Sequence, residues 1–419
     1  MINLMKKIIL GGLALLTVLL TIAPPLAQAH GERATEPYIR TRTVHWYDMV
    51  WSTEKMKVGD TVTITGKFYL MDDWPDAVHK PDLVFLSNAS PGAVMTRHES
   101  YINGKPAQQS HRNLEIGRHY DFKLVMKGRV PGRWHIHPVL SVHEAGPIVG
   151  PGSWVDVSGN FADAKYPVTT MDGHKIEDLQ SYGVARAQIW QAIYVVIAAA
   201  WLLWWLRRPL LISRWLALRN GREDLMITPA DDKAAIILIA GLLLLVAYGY
   251  MQVREEYPNL VPLQAGSIYT PPLPELPAPV KVEFLKAEYD VPGRSLRMQM
   301  EITNNGDHPV RLGEFLTASL RFINKDLPIA VASVDAAFPQ DLVPKAGIVV
   351  DGDTPLAPGE KRVIKIDATD VAWELERLVS FLTNVDSRVG GVLFFYDTKG
   401  NRFLSSVSGP ILPVFKRTI

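Results

Sequence analysis

The pattern of apolar and polar positions divides the chain into unlike parts. Residues 8–22 form an apolar run behind Lys6 and Lys7, while residues 187–206 (AQIWQAIYVVIAAAWLLWWL) and 234–253 (AAIILIAGLLLLVAYGYMQV) are longer stretches without a formal charge. Each of these two has the length a helix needs to cross a hydrocarbon layer of ~30 Å. The first ends in Trp201, Trp204 and Trp205, residues suited to a membrane interface. Elsewhere the pattern turns to short β-type runs. Residues 61–68 (TVTITGKF), 119–127 (HYDFKLVMK), 132–142 and 153–158 are predicted strands between Gly, Pro and Asp turns. That spacing predicts a Greek-key sandwich or barrel. Residues 254–279 hold seven prolines and read as a stiff extended linker. Beyond it, residues 282–301 and 311–324 are again strand-like, with Asn304-Asn305-Gly306 as a turn, and VGGVLFFYDTKGNRFLSSVS reads as a hairpin closing at Thr398–Asn401.

The segment between the apolar stretches, residues 207–233, carries six Lys/Arg against four acids, which places it in the cytoplasm. Within it, PLLISRWLALR reads as lying along the membrane surface. Both flanking regions then lie on the far side. A leader agrees with this orientation: Ala27-Gln28-Ala29 completes a signal-peptidase pattern behind the first apolar run. The fold class predicted is mainly β, two Greek-key β domains joined by a two-helix transmembrane hairpin. Its parts are a cleaved signal peptide (1–29), a periplasmic β domain (30–180), a span (187–206), a cytoplasmic loop (207–233), a second span (234–253), the linker (254–279) and a second periplasmic β domain (280–419).

Charge is nearly balanced, 44 Lys+Arg against 43 Asp+Glu, so no global basic surface argues for nucleic acid. The chain has no cysteine, which excludes thiolate zinc sites, iron–sulfur clusters and the cysteine-ligated blue copper centre. There is no phosphate-binding glycine loop and no Gly-x-Ser-x-Gly elbow; GPIVGPG (146–152) is too proline-rich to open a helix and reads as a turn. The acid pairs Asp72-Asp73 and Asp231-Asp232 read as solvated turns.

Ten of the eleven histidines lie between His30 and His174. Cleavage after Ala29 makes His30 the first mature residue, with an imidazole and a free α-amine whose pKa is about 8. On a strand, His135 and His137 project from one face with side chains roughly 7 Å apart. Two imidazoles, with a third imidazole and an amine from His30, form a nitrogen-rich site that suits Cu(II) or Cu(I), with zinc second. An H-x-H pair alone, or a histidine at a new N-terminus alone, is more often structural. Both in one cysteine-free exported domain point to a metal. Glu32 either supports a ligand from behind or is a solvated charge.

These residues also carry a resemblance. HGERATEPYIRTRTVHWYDMVW (30–51), GRWHIH (132–137), AGPIVGPGSWV (145–155), LGEFLTASLRFIN (312–324) and GPILPVF (409–415) resemble the B-type subunits of the copper membrane monooxygenases, which include particulate methane monooxygenase and bacterial ammonia monooxygenase. The resemblance runs from His30 to the C-terminus. It implies cupredoxin-like periplasmic domains on a bacterial inner or intracytoplasmic membrane. It also implies assembly with subunits A and C as a trimer of heterotrimers, with quinol or another reductant acting indirectly. It implies copper on His30, His135 and His137, and oxidation of methane, another small hydrocarbon or ammonia with O2. The competing reading is a copper-holding scaffold whose partner subunit performs the oxygen chemistry; no catalytic residue is assigned beyond the copper ligands. Some members have a further copper site that uses a histidine of the HWYD motif, here His45. Its companion histidine after GKF is replaced by Tyr69, and Phe403 offers no donor where some relatives have an amide, which leaves His45 as a ligand of a second copper site or as a structural residue.

Overall fold

The computed structural model describes residues 36–106, 110–163, 165–170, 173–209, 211–257, 266–375, 378–383 and 386–415. The predicted signal peptide, His30 and Glu32 lie outside the described residues. The chain is mainly β, with two β regions and two long apolar helices between them in sequence. The described residues fall into two compact units: those up to 163 with those from 266 onward, and those between 165 and 257.

In the first β region a short helix, α1 (Pro37–Arg42), leads into β1 (Val44–Trp51), β2 (Lys55–Lys57), β3 (Thr61–Leu70), β4 (Leu83–Ala89), β5 (Met95–Ile102) and β6 (Lys105–Pro106). There follow β7 (Ser110–Arg112), β8 (His119–Gly128), β9 (Gly132–Val142), β10 (Gly146–Val149) and β11 (Ser153–Ser158). One sheet runs β1-β3-β8-β5-β6. The other is built on β4, β9 and β11, with β10 beside β9. Neighbours are mostly not consecutive in sequence, so the chain crosses repeatedly, as the Greek-key reading expects. β11 shows why these residues form strands: burial alternates at every position from Ser153 to Ser158, the period-two signature of a half-covered sheet. Trp46 fills the interior against Phe68 and Phe122, with ring centroids 5.3 and 5.0 Å away.

GPIVGPG is not a simple turn. Its first four residues are β10, paired antiparallel with β9, because Ile148 and Val149 are apolar enough to be buried there. The proline-rich linker also does more than span a gap. Ser267–Tyr269 forms a strand that pairs in parallel with β7, pinned where His111 Nδ1 lies 2.8 Å from Thr270 Oγ1. A short edge strand offers unpaired backbone groups, and this segment satisfies them.

The second β region is one eight-stranded sheet. Residues 282–301 are not one strand but two, Val280–Asp290 and Ser295–Asn304, turned at Pro292-Gly293, where Arg294 takes φ +50°. Likewise 311–324 divides into Val310–Thr317 and Leu320–Ile323, because Ala318 and Ser319 both adopt positive φ. The hairpin at Thr398–Asn401 joins Arg388–Asp397 to Arg402–Val414 as expected. A bridge from Asn324 to Ile348 links the two ends of the strand order, curling the sheet towards closure.

Within this unit Tyr47, Tyr69 and Met71 of the first region pack with Leu316, Val392, Phe394 and Tyr396 of the second. A bulge after Tyr47 puts Asp48 at φ +51°, where its carboxylate accepts from Arg402. Asp73 is not a solvated turn residue either: it accepts from Arg42 Nε at 3.1 Å and Arg388 Nη2 at 2.9 Å.

The other unit holds α2 (Val184–Leu206), α3 (Ile212–Arg219) and α4 (Pro229–Glu256). α2 and α4, 23 and 28 residues, are both long and apolar enough to cross a membrane. They run antiparallel: Arg186 pairs with Glu256 at one end, and Trp204 Nε1 donates to Asp231 at 2.9 Å at the other. Asp231 is therefore buried rather than solvated. Its carboxylate also accepts from Arg208 and from the Thr228 backbone, capping the start of α4.

Candidate metal centre

β9 carries His135 and His137 two residues apart, so the pleat sends both rings to one face and Ile136 to the buried opposite face. The imidazole centroids stand 4.4 Å apart with planes at 88°. That is closer than the spacing alone predicts, because the rings lean together. His137 is buried and His135 half-buried.

Backbone chemistry sets the tautomer of His137. Its Nδ1 lies 2.9 Å from the Gly150 carbonyl oxygen, which can only accept, so Nδ1 carries the proton. In the neutral ring the lone pair is then on Nε2, the arrangement by which backbone carbonyls orient metal-ligating imidazoles. The Gly150 N–H donates to Pro138 O at 2.8 Å, holding that carbonyl in place.

Gly152 forms the wall of the site. A Cβ there would fall 2.3 Å from His137 Cε1 and 2.8 Å from His135 Cε1, so any other residue displaces the rings. Two residues on, Trp154 stands directly opposite His135 across the β9–β11 pairing, with ring centroids 4.8 Å apart. Sequence reasoning misses Gly150, Gly152 and Trp154. The signal available is the glycine pair of GPGSW, two small residues ahead of a strand, which has no meaning until β11 is known to lie beside β9.

The pair fits copper by its donor chemistry: two neutral nitrogen ligands on one rigid strand, one with its tautomer set by the backbone. Among the described residues, no group of three or more His, Cys, Asp or Glu side chains is arranged to hold a metal.

His45 sits apart in role. It is buried on β1, paired across the sheet with Tyr69, with Nε2 3.0 Å from Thr41 O. Burial pushes its pKa down to about 4, against the lesser opposing effect of the Thr41 bond. Tyr69 is in turn opposite His119, their rings 5.8 Å apart. Phe403 pairs with Phe395 in the second β region. Tyr69 and the Thr41 carbonyl are thus among the neighbours of His45.

Comparison with known proteins bears on the whole chain. The family of monooxygenase B-subunit proteins matches residues 31–415. The "Particulate methane monooxygenase alpha subunit" of Methylococcus capsulatus (strain Bath) is 43% identical over 392 residues, covering 93% of this chain and 93% of that protein. Among solved structures, the cupredoxin domain of amoB from Nitrosocaldus yellowstonii aligns at 17% identity and TM-score 0.25, over 32% of this chain and 96% of its own. The adhesin InvE of Yersinia pseudotuberculosis aligns at 7% identity and TM-score 0.16, over 87% of this chain and 60% of its own. At such scores the superpositions carry no weight, and the β architecture rests on its own strand pairing. The match over nearly the full length shows that the chain belongs to the B-subunit family of the membrane monooxygenases.

Proposed function

We propose that this chain is the copper-binding subunit of a membrane-bound monooxygenase that uses O2 to hydroxylate methane, another small hydrocarbon or ammonia. The 43% identical relative, a particulate methane monooxygenase subunit by name, supports methane among these. Copper is held by His135, His137 and the mature N-terminus at His30, through its imidazole and α-amine, with Glu32 nearby. The observation that carries the reading is the His135–His137 pair: perpendicular rings 4.4 Å apart, under a glycine that alone leaves them room.

Bound copper would supply one-electron redox chemistry. The chain's own contribution is to hold two neutral imidazoles in place, with the Gly150 carbonyl keeping the His137 proton on Nδ1. The complex includes subunits A and C, as a trimer of heterotrimers, with α2 and α4 in the bilayer of a bacterial inner or intracytoplasmic membrane. Both β regions are periplasmic, and a quinol or other reductant supplies electrons indirectly.

Intact mass of the mature chain should begin at His30; any retained upstream residue removes the chelating amine and defeats the site as drawn. Copper content of the assembled complex should fall in the His135→Ala/His137→Ala double variant and in His30→Ala. Unchanged copper in both refutes the ligand set. If copper falls while turnover persists, the metal here is structural and the oxygen chemistry belongs to a partner.

A further inference from the structure

We propose that Trp154 is a positioning residue of this metal centre: its indole, tilted against the His135 imidazole, holds that ring at the angle from which it can share one copper ion with His137. This rests on the copper reading above.

The contact comes from strand register. β11 runs antiparallel to β9 with Trp154 opposite His135, so the indole meets the imidazole in a tilted contact, 4.8 Å between centroids and 41° between planes. The indole also meets Arg133, whose guanidinium carbon lies 5.0 Å from the ring centroid. Arg133 in turn is 3.7 Å from Asp156, two residues beyond Trp154 on β11. Arg133, Trp154 and His135 therefore form a row of contacts across two strands that ends at the candidate ligand.

Trp154 is not in place for core packing. On β11 the buried positions are Ser153, Val155 and Val157, and Trp154 shares the outward face with Asp156 and Ser158. It is 44% exposed, a costly setting for the largest apolar side chain when a polar residue would serve the strand equally well. What a polar residue would not supply is a flat surface against His135.

The indole adds its contact to the less buried ring of the pair. His137 is buried, with Nδ1 at Gly150 O. His135 is half-buried and meets the indole. The imidazole torsion about Cβ–Cγ is broad and soft. With both the indole and the His137 ring against it, at 4.8 and 4.4 Å between centroids, that torsion is confined. Trp154 thus acts on the metal through His135 and touches no reacting atom.

The test uses the full mature chain in its assembled complex, with Cu(II) as the probe. Trp154→Ala should lower copper affinity by about 10- to 100-fold, the usual loss when an outer support of a ligand is removed, and should broaden the Cu(II) electron paramagnetic resonance spectrum. Trp154→Phe, which keeps a flat ring, should stay within about threefold of the parent, whereas Trp154→Leu, which keeps bulk without a ring, should behave like the alanine variant. Cu(II) should also quench less tryptophan fluorescence in Trp154→Phe than in the parent, since the indole nearest the metal has gone. Full affinity and an unaltered spectrum in both the alanine and leucine variants overturn the proposal. So does equal loss in the phenylalanine and leucine variants, which marks a general packing defect. If copper is unaffected by His135→Ala/His137→Ala, the copper reading itself fails and takes this inference with it. If copper depends on those histidines but ignores residue 154, only the inference fails.

Discussion

His137 in the first β region and Glu314 in the second are both buried, on opposite chemical terms. The first region hides His45, His111, His119 and His137. Burial drives the pKa of His45 and of His111 down to about 4, and lowers that of His119 with help from Arg118. With their pKa values lowered, His45, His111 and His119 can be buried neutral, without a counter-charge, each keeping a nitrogen lone pair. The second region buries full charges. Glu314 accepts from Arg321 Nε at 2.7 Å, from Arg402 Nη2 at 3.1 Å and from Ser333 and Tyr396 hydroxyls. Burial alone would raise the Glu314 pKa; Arg402 and Arg321 override it and hold the carboxyl below its ordinary value. A saturated ion cluster has no ligand capacity left. The two β regions thus differ in what their interiors leave available: nitrogen lone pairs in one, a lock in the other.

The sharpest way to break this contrast is Gly152→Val. Its Cβ collides with both imidazoles, so copper per chain should fall to background while the far-ultraviolet circular dichroism stays unchanged. Retained copper would show that the glycine wall is not needed.

Next in size, Glu314→Ala leaves two guanidinium groups facing each other without their carboxylate. A loss of about 3–5 kcal/mol in chemical denaturation is expected, the usual consequence of removing one partner of a buried ion pair. Because the folded-state pKa of Glu314 is depressed, its stabilisation is fully present above the ordinary value of 4.5 and drains away as pH falls below it. The variant should accordingly show a shallower acid-unfolding profile than the parent below that pH.

His111 should respond in a different window. Its folded-state pKa is lowered from 6.5 to about 4, so between those values the unfolded chain takes up a proton that the folded chain refuses. Stability should decline as pH falls through that range, by at most about 1.4 kcal/mol per pH unit from this one group. His111→Asn should remove that slope. An identical slope in the variant would transfer the effect to another group.

The smallest effect is expected at the rim. Arg388 and Asp73 are about one-third exposed, so Arg388→Ala should cost no more than about 1 kcal/mol. A cost equal to that of Glu314→Ala would erase the distinction between a buried cluster and a half-exposed pair.

How much of the molecule is legible in its sequence depends on distance along the chain. The two apolar helices, the β11 alternation and the shared face of His135 and His137 are local, set by residues one to four apart, and the pattern of side chains is enough to find them. The two long strands predicted over 282–301 and 311–324 lack the turns that divide them. Arg294, Ala318 and Ser319 take a positive φ that their side chains do not advertise. Asp73 and Asp231 read as solvated because an acid pair looks alike in sequence whether water or arginine faces it; Arg42, Arg388 and Arg208 come from distant positions. The strand that Ser267–Tyr269 adds to the first β region is hidden by its proline-rich surroundings.

By itself the sequence determined what kinds of chemistry were open: no thiolate ligands, two apolar spans, and a pair of imidazoles on one strand face. Periodicity suffices there, because the backbone repeat dictates direction. Only the tertiary structure decided that Gly152 leaves room for those imidazoles, that the Gly150 carbonyl selects the His137 tautomer, that Trp154 flanks His135 and that Glu314 meets two arginines. Each of those contacts is a matter of cross-strand register or sheet packing, where residues far apart in sequence are brought within a few ångströms and no local pattern records which ones will meet.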